Sequence, residues 1–174
     1  MPPVPRFRGR GRRGYWLIAV IAALAAYRAV QHAGEPAVPE ALAEGEHQVL
    51  RVVDGDTLLL TSNARVRLIG VNTPETVRPD HPVEAWGPEA SRFTQEFISR
   101  GPVRLTFDQE RKDRFNRFLA YVWVDDRLLN EELVRAGLAR AELQFHYSSS
   151  MKKRFREAQQ AAQRERVGLW SGRP

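Results

Sequence analysis

The feature of the sequence that most constrains its fold is a series of short β-prone runs separated by three-residue turns. The runs are His47–Val53, Thr57–Thr61 and Arg65–Val71, and the turns between them are Asp-Gly-Asp and Ser-Asn-Ala. Connections this short join neighbouring antiparallel strands. The region is therefore predicted to form a three-stranded antiparallel meander.

Two more strands and three helices are predicted after the meander. The strands are Val103–Phe107 and Leu119–Val124. Helices are predicted from Pro88 to the Gly101-Pro102 stop, from an Asn130 N-cap to Gly137, and over Lys152–Arg166. A helix between the third and fourth of five strands predicts a mainly β, α+β fold. The expected form is a five-stranded OB-type Greek-key barrel with about three helices packed outside it, preceded by an N-terminal hydrophobic helix.

A basic segment and an apolar run precede the predicted barrel. Residues 1–14 contain five Arg, and residues 15–31 are predominantly apolar. This order is typical of a membrane-directed sequence whose basic end stays in the cytoplasm and whose folded part lies outside it. Two interpretations remain open: an uncleaved anchor near the lower length limit for a membrane span, and a signal peptide cleaved at Ala41-Leu42-Ala43, which leads to secretion.

Residues 32–46 are expected to be a flexible linker because they are rich in Ala, Glu, Gly and Pro. Residues 47–172 are then the folded domain, which we expect to act as a monomer. The absence of cysteine excludes disulfides, thiolate metal sites and cysteine nucleophiles. The formal net charge is +6, and residues 1–45 carry half of it, with six Arg against three Glu. The mildly basic domain permits a phosphate-rich partner without demanding one.

Polar side chains gather at the predicted strand ends. Asp54-Gly55-Asp56 is either an ordinary Asp-Gly turn or part of a site for a hard cation, which takes oxygen ligands. In an antiparallel meander the start of the second strand lies beside the end of the third. Asp56 and the Asn72-Thr73 pair are therefore expected to share one rim of the barrel, with Glu75 facing the same rim.

Two arginine-bearing segments are candidates for binding an anion. Arg67 lies in the middle of a predicted strand and is either an outward-facing charge or points into a wet cleft, since an unpaired buried Arg is costly. The Asp113–Arg117 segment is either a solvated turn or a phosphate-binding loop in which Arg114 and Arg117 hold the anion.

Five sequence blocks together resemble the thermonuclease, or staphylococcal nuclease, family in order and spacing. They are Asp54–Thr57, Arg67–Thr76, Gly87–Ala90, Asp113–Tyr121 and Asn130–Ala139. The resemblance extends from about Val49 to Trp170 and implies a five-stranded OB barrel. It also implies a Ca²⁺-dependent phosphodiesterase acting on DNA and RNA.

The resemblance assigns roles residue by residue. It implies catalytic roles for Arg67, Glu75 and Arg117, metal ligation by Asp56, Asn72 and the Thr73 backbone carbonyl, and nucleic-acid contacts for Arg114, Phe115 and Phe145. Two departures stand out. Asn72 replaces an Asp of the family, which removes one charge from the metal site and is expected to lower calcium affinity. Phe115 and Phe145 replace tyrosines and lack the hydroxyl groups that bind phosphate.

Two classes of function fit these residues. One is a membrane-anchored or secreted calcium-dependent nuclease that cleaves DNA, RNA or both. The other is an OB-type nucleic-acid-binding module whose catalysis is weakened or lost. Retention of Arg67, Glu75 and Arg117 together favours the enzyme, whereas Asn72 favours the binding module.

Overall fold

The computed structural model describes residues 13–32, 37–76 and 82–172. The chain divides into two compact units, residues 1–37 and 38–174. The basic residues 1–12, part of the expected linker (33–36) and part of the loop after Glu75 (77–81) lie outside the described residues.

The first unit contains helix α1, Arg13–His32, at the position predicted for the hydrophobic helix. Apolar side chains on this helix, including Ile18, Ile21 and Leu24, are exposed. None of the helices in the described ranges combines the length and apolar character that a membrane crossing requires.

The second unit is built on a curled, mixed β-sheet. Its strands are β1 (Gly45–His47), β2 (Val49–Asp54), β3 (Thr57–Leu60), β4 (Arg65–Leu68), β6 (Val103–Lys112), β7 (Phe118–Val124) and β8 (Arg127–Leu128), while β5 (Val71–Asn72) pairs separately with β9 (Arg140–Ala141). The strand order is β1-β6-β7-β4-β3-β2, with β8 beside β7. Strands β2, β3 and β4 form the predicted antiparallel meander, and β4 pairs in parallel with β7.

The sheet curls back on itself because β1 and β2 lie at opposite ends of the strand order but are separated in sequence only by Gln48. This arrangement confirms the predicted OB-type α+β fold. The predicted single run at His47–Val53 is divided, and an irregularity in the β2–β3 register between Val49 and Arg51 accompanies the division. The predicted run Arg65–Val71 is also divided: β4 ends at Leu68, a turn follows at Ile69-Gly70, and Val71 begins β5. Strands β8 and β9 were not predicted, because two residues are too few to leave an alternating pattern.

The folded unit begins before the expected linker boundary at residue 46. Leu42 is buried in the hydrophobic core, and its carbonyl accepts a hydrogen bond from Arg111 Nη1 at 3.1 Å. Strand β1 then begins at Gly45. Cleavage at the candidate site Ala41-Leu42-Ala43 would therefore remove a core side chain from the domain.

Three helices pack against the sheet, as the sequence predicted. They are α2 (Gly87–Ile98), α3 (Leu129–Arg135) and α4 (Ser149–Glu165), and a 3₁₀ turn follows at Gly168–Trp170. Helix α4 buries Phe155, Ala158 and Ala162, which are spaced to lie on one helical face.

Asn130 has a different role from the predicted N-cap, because Leu128 occupies the N-cap position of α3. Asn130 is fully buried and is the second residue of the helix. Its Oδ1 accepts a hydrogen bond from the Val122 N–H at 3.0 Å, and its Nδ2 donates to the Ile69 carbonyl at 2.9 Å. This side chain therefore joins α3 to β7 and to the chain that leaves β4.

Asp108 joins β6 to the start of α4. Its Oδ2 accepts hydrogen bonds from the Tyr121 hydroxyl at 2.6 Å and from the backbone N–H of Ser148, the N-cap residue of α4, at 2.7 Å. Burial acts to raise the pKa of the Asp108 carboxyl. The hydrogen bonds from Tyr121, Ser148 and Gln109 outweigh burial and lower that pKa below its ordinary value.

Asp108→Asn is expected to lower the free energy of unfolding by about 1–2 kcal/mol near neutral pH, because hydrogen bonds to an ionised acceptor are stronger than those to the neutral amide that replaces it. Since the folded pKa lies below the ordinary 3.8, the stabilisation is fully present above that value and is lost as pH falls through the folded pKa. Urea unfolding at about pH 7 and about pH 3 measures the change. Asp126→Asn, on the exposed turn after β7, is the matched control. An equal loss at both pH values would contradict this account.

Candidate active site

Asp56 is the centre of a group of oxygen atoms at the rim of the sheet. It is only 5% exposed and immediately precedes β3. Its Oδ2 accepts hydrogen bonds from the Thr73 backbone N–H at 2.8 Å and the Thr73 hydroxyl at 3.0 Å, while its Oδ1 accepts one from the Thr57 hydroxyl at 3.1 Å. The meander thus places Asp56 beside the Asn72-Thr73 segment, as its topology predicted.

Arg67 points inward from β4 toward these oxygens. Its Nη1 forms an ion pair with Asp56 Oδ2 at 2.6 Å, and its Nη2 donates a hydrogen bond to Asn72 Oδ1 at 2.9 Å. The side chain is 13% exposed. Arg67 is therefore not an outward-facing charge, and its guanidinium bridges a carboxylate and an amide.

Arg117 is held by Asp113 in the loop before β7. Asp113 Oδ2 lies 2.7 Å from both Nε and Nη2 of Arg117. Asp113 Oδ1 also accepts the backbone N–H groups of Phe115 at 2.9 Å and Arg117 at 3.0 Å. Asn116 adopts a left-handed conformation with φ of 60°, which Asn tolerates better than most residues. Sequence reasoning did not assign Asp113 this organising role, although its place at the start of a tight polar turn was a usable signal.

A single cavity of about 530 Å³ joins the two arginines to exposed aromatic rings. Among its lining residues are Arg67, Arg114, Phe115, Arg117, Glu142 and Phe145. Phe115 is 63% exposed and Phe145 is 53% exposed. The Arg114 guanidinium lies 4.8 Å from the Phe115 ring centre, and that of Arg117 lies 5.4 Å from it. Guanidinium groups beside accessible rings suit the phosphates and bases of a single-stranded nucleic acid.

Glu142 was not identified from the sequence, although it lines the same cavity. Its Oε2 lies 3.9 Å from Arg67 Nη2. Burial raises the pKa of the Glu142 carboxyl, the Arg67 guanidinium opposes that rise, and the Asp56 carboxylate adds to it.

Glu75 lies beside Asp54, outside the set of described residues that line the cavity. Burial raises the pKa of the Asp54 carboxyl, a hydrogen bond from Thr76 opposes the rise, and the nearby Glu75 carboxylate adds to it. The Thr76 hydroxyl donates to Asp54 Oδ1 at 2.7 Å. The structure therefore places Glu75 near the rim but next to another carboxyl group. Sequence reasoning considered Asp54 only as a turn or cation ligand and missed this pairing.

The oxygen donors at the rim are of mixed type. Among the described residues, no group of three His, Cys, Asp or Glu side chains is placed to hold a metal ion. The donors that the family resemblance implies are the Asp56 carboxylate, the Asn72 amide oxygen and the Thr73 carbonyl. Hard divalent cations take all three kinds of oxygen. The Arg67 guanidinium already contacts Asp56 and Asn72, which shows that these oxygens stabilise positive charge. A divalent cation bound there would take the place of the guanidinium at both oxygens.

An OB-type sheet with two arginines lining one cavity beside an oxygen-rich rim is typical of proteins that bind phosphate groups. Residues 65–172 match the family model described as "Staphylococcal nuclease homologue". The chain is 41% identical over 131 residues to a thermonuclease of Staphylococcus hyicus, covering 74% of this chain and 77% of that protein. It is 44% identical over 127 residues to a thermonuclease of Staphylococcus intermedius, covering 70% of this chain and 74% of that protein.

A further relative is the endonuclease YncB of Bacillus subtilis (strain 168). It is 35% identical over 125 residues, which cover 70% of this chain and 59% of the endonuclease. The chain therefore belongs to the staphylococcal nuclease family, as its motifs indicated.

Proposed function

We propose that this chain is a calcium-dependent nuclease that hydrolyses phosphodiester bonds of DNA, RNA or both. The chain is a nuclease by its family membership and by its relatives, which are thermonucleases and endonucleases. The observation that carries the proposal is the cavity shared by Arg67 and Arg117, which is flanked by exposed Phe rings. Calcium as the cation is supported by the oxygen donors of Asp56, Asn72 and Thr73.

The proposed chemistry depends on negative charge that develops on the phosphate as water attacks. Arg67 and Arg117 are suited to stabilise that charge, since both line the cavity and each is oriented by a carboxylate, Asp56 or Asp113. A bound cation would add charge stabilisation at the phosphate. Arg114 supplies a further positive charge for the backbone, and Phe115 and Phe145 supply surfaces for base stacking.

We assign Glu75 to the attacking water: it would either take a proton from that water or orient it. Its support is position: it follows Thr73 by two residues, and Thr73 is tied directly to Asp56. Because Glu75 lies beside Asp54 in the structure, this role requires its side chain to turn toward the cavity.

The direct test is cleavage of single-stranded DNA and RNA by the purified chain with Ca²⁺, with Mg²⁺ and with a chelator. The proposal expects cleavage with Ca²⁺ and none with the chelator. Equal cleavage with the chelator and with Ca²⁺ would show that the nuclease does not require calcium. Binding of nucleic acid without cleavage under every condition would favour the alternative binding module, which the loss of a carboxylate at Asn72 supports.

Asn72→Asp is expected to shift the calcium dependence of cleavage to concentrations about tenfold lower, because affinity for hard cations rises with the number of charged ligands. A calcium titration of the initial rate measures the shift. Asn63→Asp, in the turn between β3 and β4 at the opposite end of that hairpin, adds the same charge away from the rim. An unchanged or raised calcium requirement in Asn72→Asp would mean that Asn72 is not a metal ligand.

For localisation we propose that residues 1–31 direct the nuclease domain out of the cytoplasm. The support is the Arg-rich segment before an apolar helix whose Ile18, Ile21 and Leu24 side chains are exposed. An anchored form and a secreted form remain alternatives. Fractionation of cells combined with N-terminal sequencing distinguishes them, and an unprocessed chain in the soluble cytoplasmic fraction would contradict both.

A further inference from the structure

We propose that Glu142 belongs to the cation site at this rim and supplies the second carboxylate that Asn72 does not provide. This inference rests on the proposed function, because it concerns the cation of the same site.

The backbone places Glu142 next to Asn72. In the β5–β9 ladder Asn72 lies opposite Arg140, and Val71 lies opposite Ala141. The Glu142 N–H continues the ladder by donating to the Gly70 carbonyl at 2.9 Å. Residues two apart on a strand share one face, so Glu142 follows Arg140 on the face that carries Asn72. Glu142 and Asn72 are then diagonal cross-strand neighbours, which long side chains can bridge.

The side chains of Glu142 and Asn72 both approach the Arg67 guanidinium. The Arg67 Nη2 that donates to Asn72 Oδ1 at 2.9 Å lies 3.9 Å from Glu142 Oε2. The Glu142 side chain is 26% exposed, so most of its surface is withdrawn from water. One guanidinium thus faces two carboxylates, Asp56 and Glu142, and an amide.

At these oxygens one guanidinium, that of Arg67, faces two carboxylates. Arg67 carries one positive charge and faces the two negative charges of Asp56 and Glu142. Arg117 is engaged by Asp113, so its charge is already paired within its own loop. A phosphate entering the cavity would add negative charge and would be repelled by an uncompensated carboxylate. A divalent cation held by Asp56, Asn72 and Glu142 removes the excess and leaves Arg67 to the phosphate.

The test is calcium binding by calorimetry to the full chain without nucleic acid, so that the readout is independent of cleavage. Glu142→Gln keeps the size of the side chain and removes its charge, and it is expected to weaken calcium binding about tenfold. Glu157→Gln, on an exposed position of α4, makes the same charge change as a control and should leave binding unchanged. The double variant Asn72→Asp with Glu142→Gln moves the second carboxylate across the ladder and should return the affinity toward that of the parent.

The possible failures are distinguishable. If the parent binds calcium and Glu142→Gln binds it equally well, Glu142 is outside the cation site and the proposed nuclease stands. If the parent binds no calcium, the proposed calcium requirement is refuted, and this inference is refuted with it. Thermal unfolding in chelator identifies a folding defect. A variant that melts with the parent in chelator but gains less stability from added calcium supports the proposal by a second measurement.

Discussion

Arg117→Ala is expected to reduce the turnover of DNA by about a hundredfold or more, because one preorganised charge contact to a transition state is worth about 3 kcal/mol. The fold of the loop should survive the change. Asp113 Oδ1 accepts the backbone N–H groups of Phe115 and Arg117, and alanine keeps the latter. Arg117→Ala should therefore lower the turnover of DNA without a comparable decrease in the free energy of unfolding.

Measurement of kcat and KM on single-stranded DNA tests this expectation. Arg51→Ala, on the exposed side of β2, is the matched control and should cleave at the parental rate. Arg117→Lys adds a second comparison, since an ammonium group cannot reproduce the two contacts that the guanidinium makes with Asp113. If Arg117→Ala cleaved DNA as fast as the parent, the cavity around Arg117 would not be the active site.

Asn130→Ala is expected to lower the free energy of unfolding by about 3 kcal/mol or more, because a buried N–H and a buried carbonyl would lose their partner. These are the Val122 N–H and the Ile69 carbonyl. Ile69 lies between Arg67 and Asn72 in the chain, so the variant should also loosen the site. Urea unfolding measures the first effect, and calcium binding measures the second.

Gln160→Ala, at an exposed position of α4, is the control for loss of an amide side chain. It should change the free energy of unfolding by less than about 0.5 kcal/mol. A similar small change in Asn130→Ala would show that water or a rearranged backbone replaces the lost hydrogen bonds.

The fold was predictable where the β-prone runs are several residues long and the turns that join them are short. The meander from β2 to β4 follows from two three-residue turns, and it placed Asp56 beside Asn72 and Thr73 in advance of the structure. The two-residue ladder of β5 and β9 has no such pattern. Glu142 owes its position to that ladder, which is why residue patterns did not reveal it.

The candidate site was predictable in a similar, partial way. Local sequence left Arg67 and Arg117 as either solvated charges or anion-binding groups, and the family resemblance implied their catalytic roles. Neither showed that the two side chains line one cavity. That arrangement depends on the parallel pairing of β4 with β7, which joins segments about 50 residues apart and leaves no local signal. Glu75 was expected to face the rim, and its approach to Asp54 depends on side-chain packing that periodicity does not specify.

The parallel pairing of β4 with β7 has a consequence for when activity appears during folding. Arg67 lies opposite Leu119 in that pairing, and Arg117 immediately precedes the strand that carries Leu119. Parallel pairing of distant segments loses loop-closure entropy before its contacts form, and the pairing is therefore slow. Until these strands pair, Arg67 and Arg117 do not line one cavity and cannot bind the same phosphate. Cleavage activity is therefore expected to appear only when the β4–β7 pairing is complete, and not with the earlier meander.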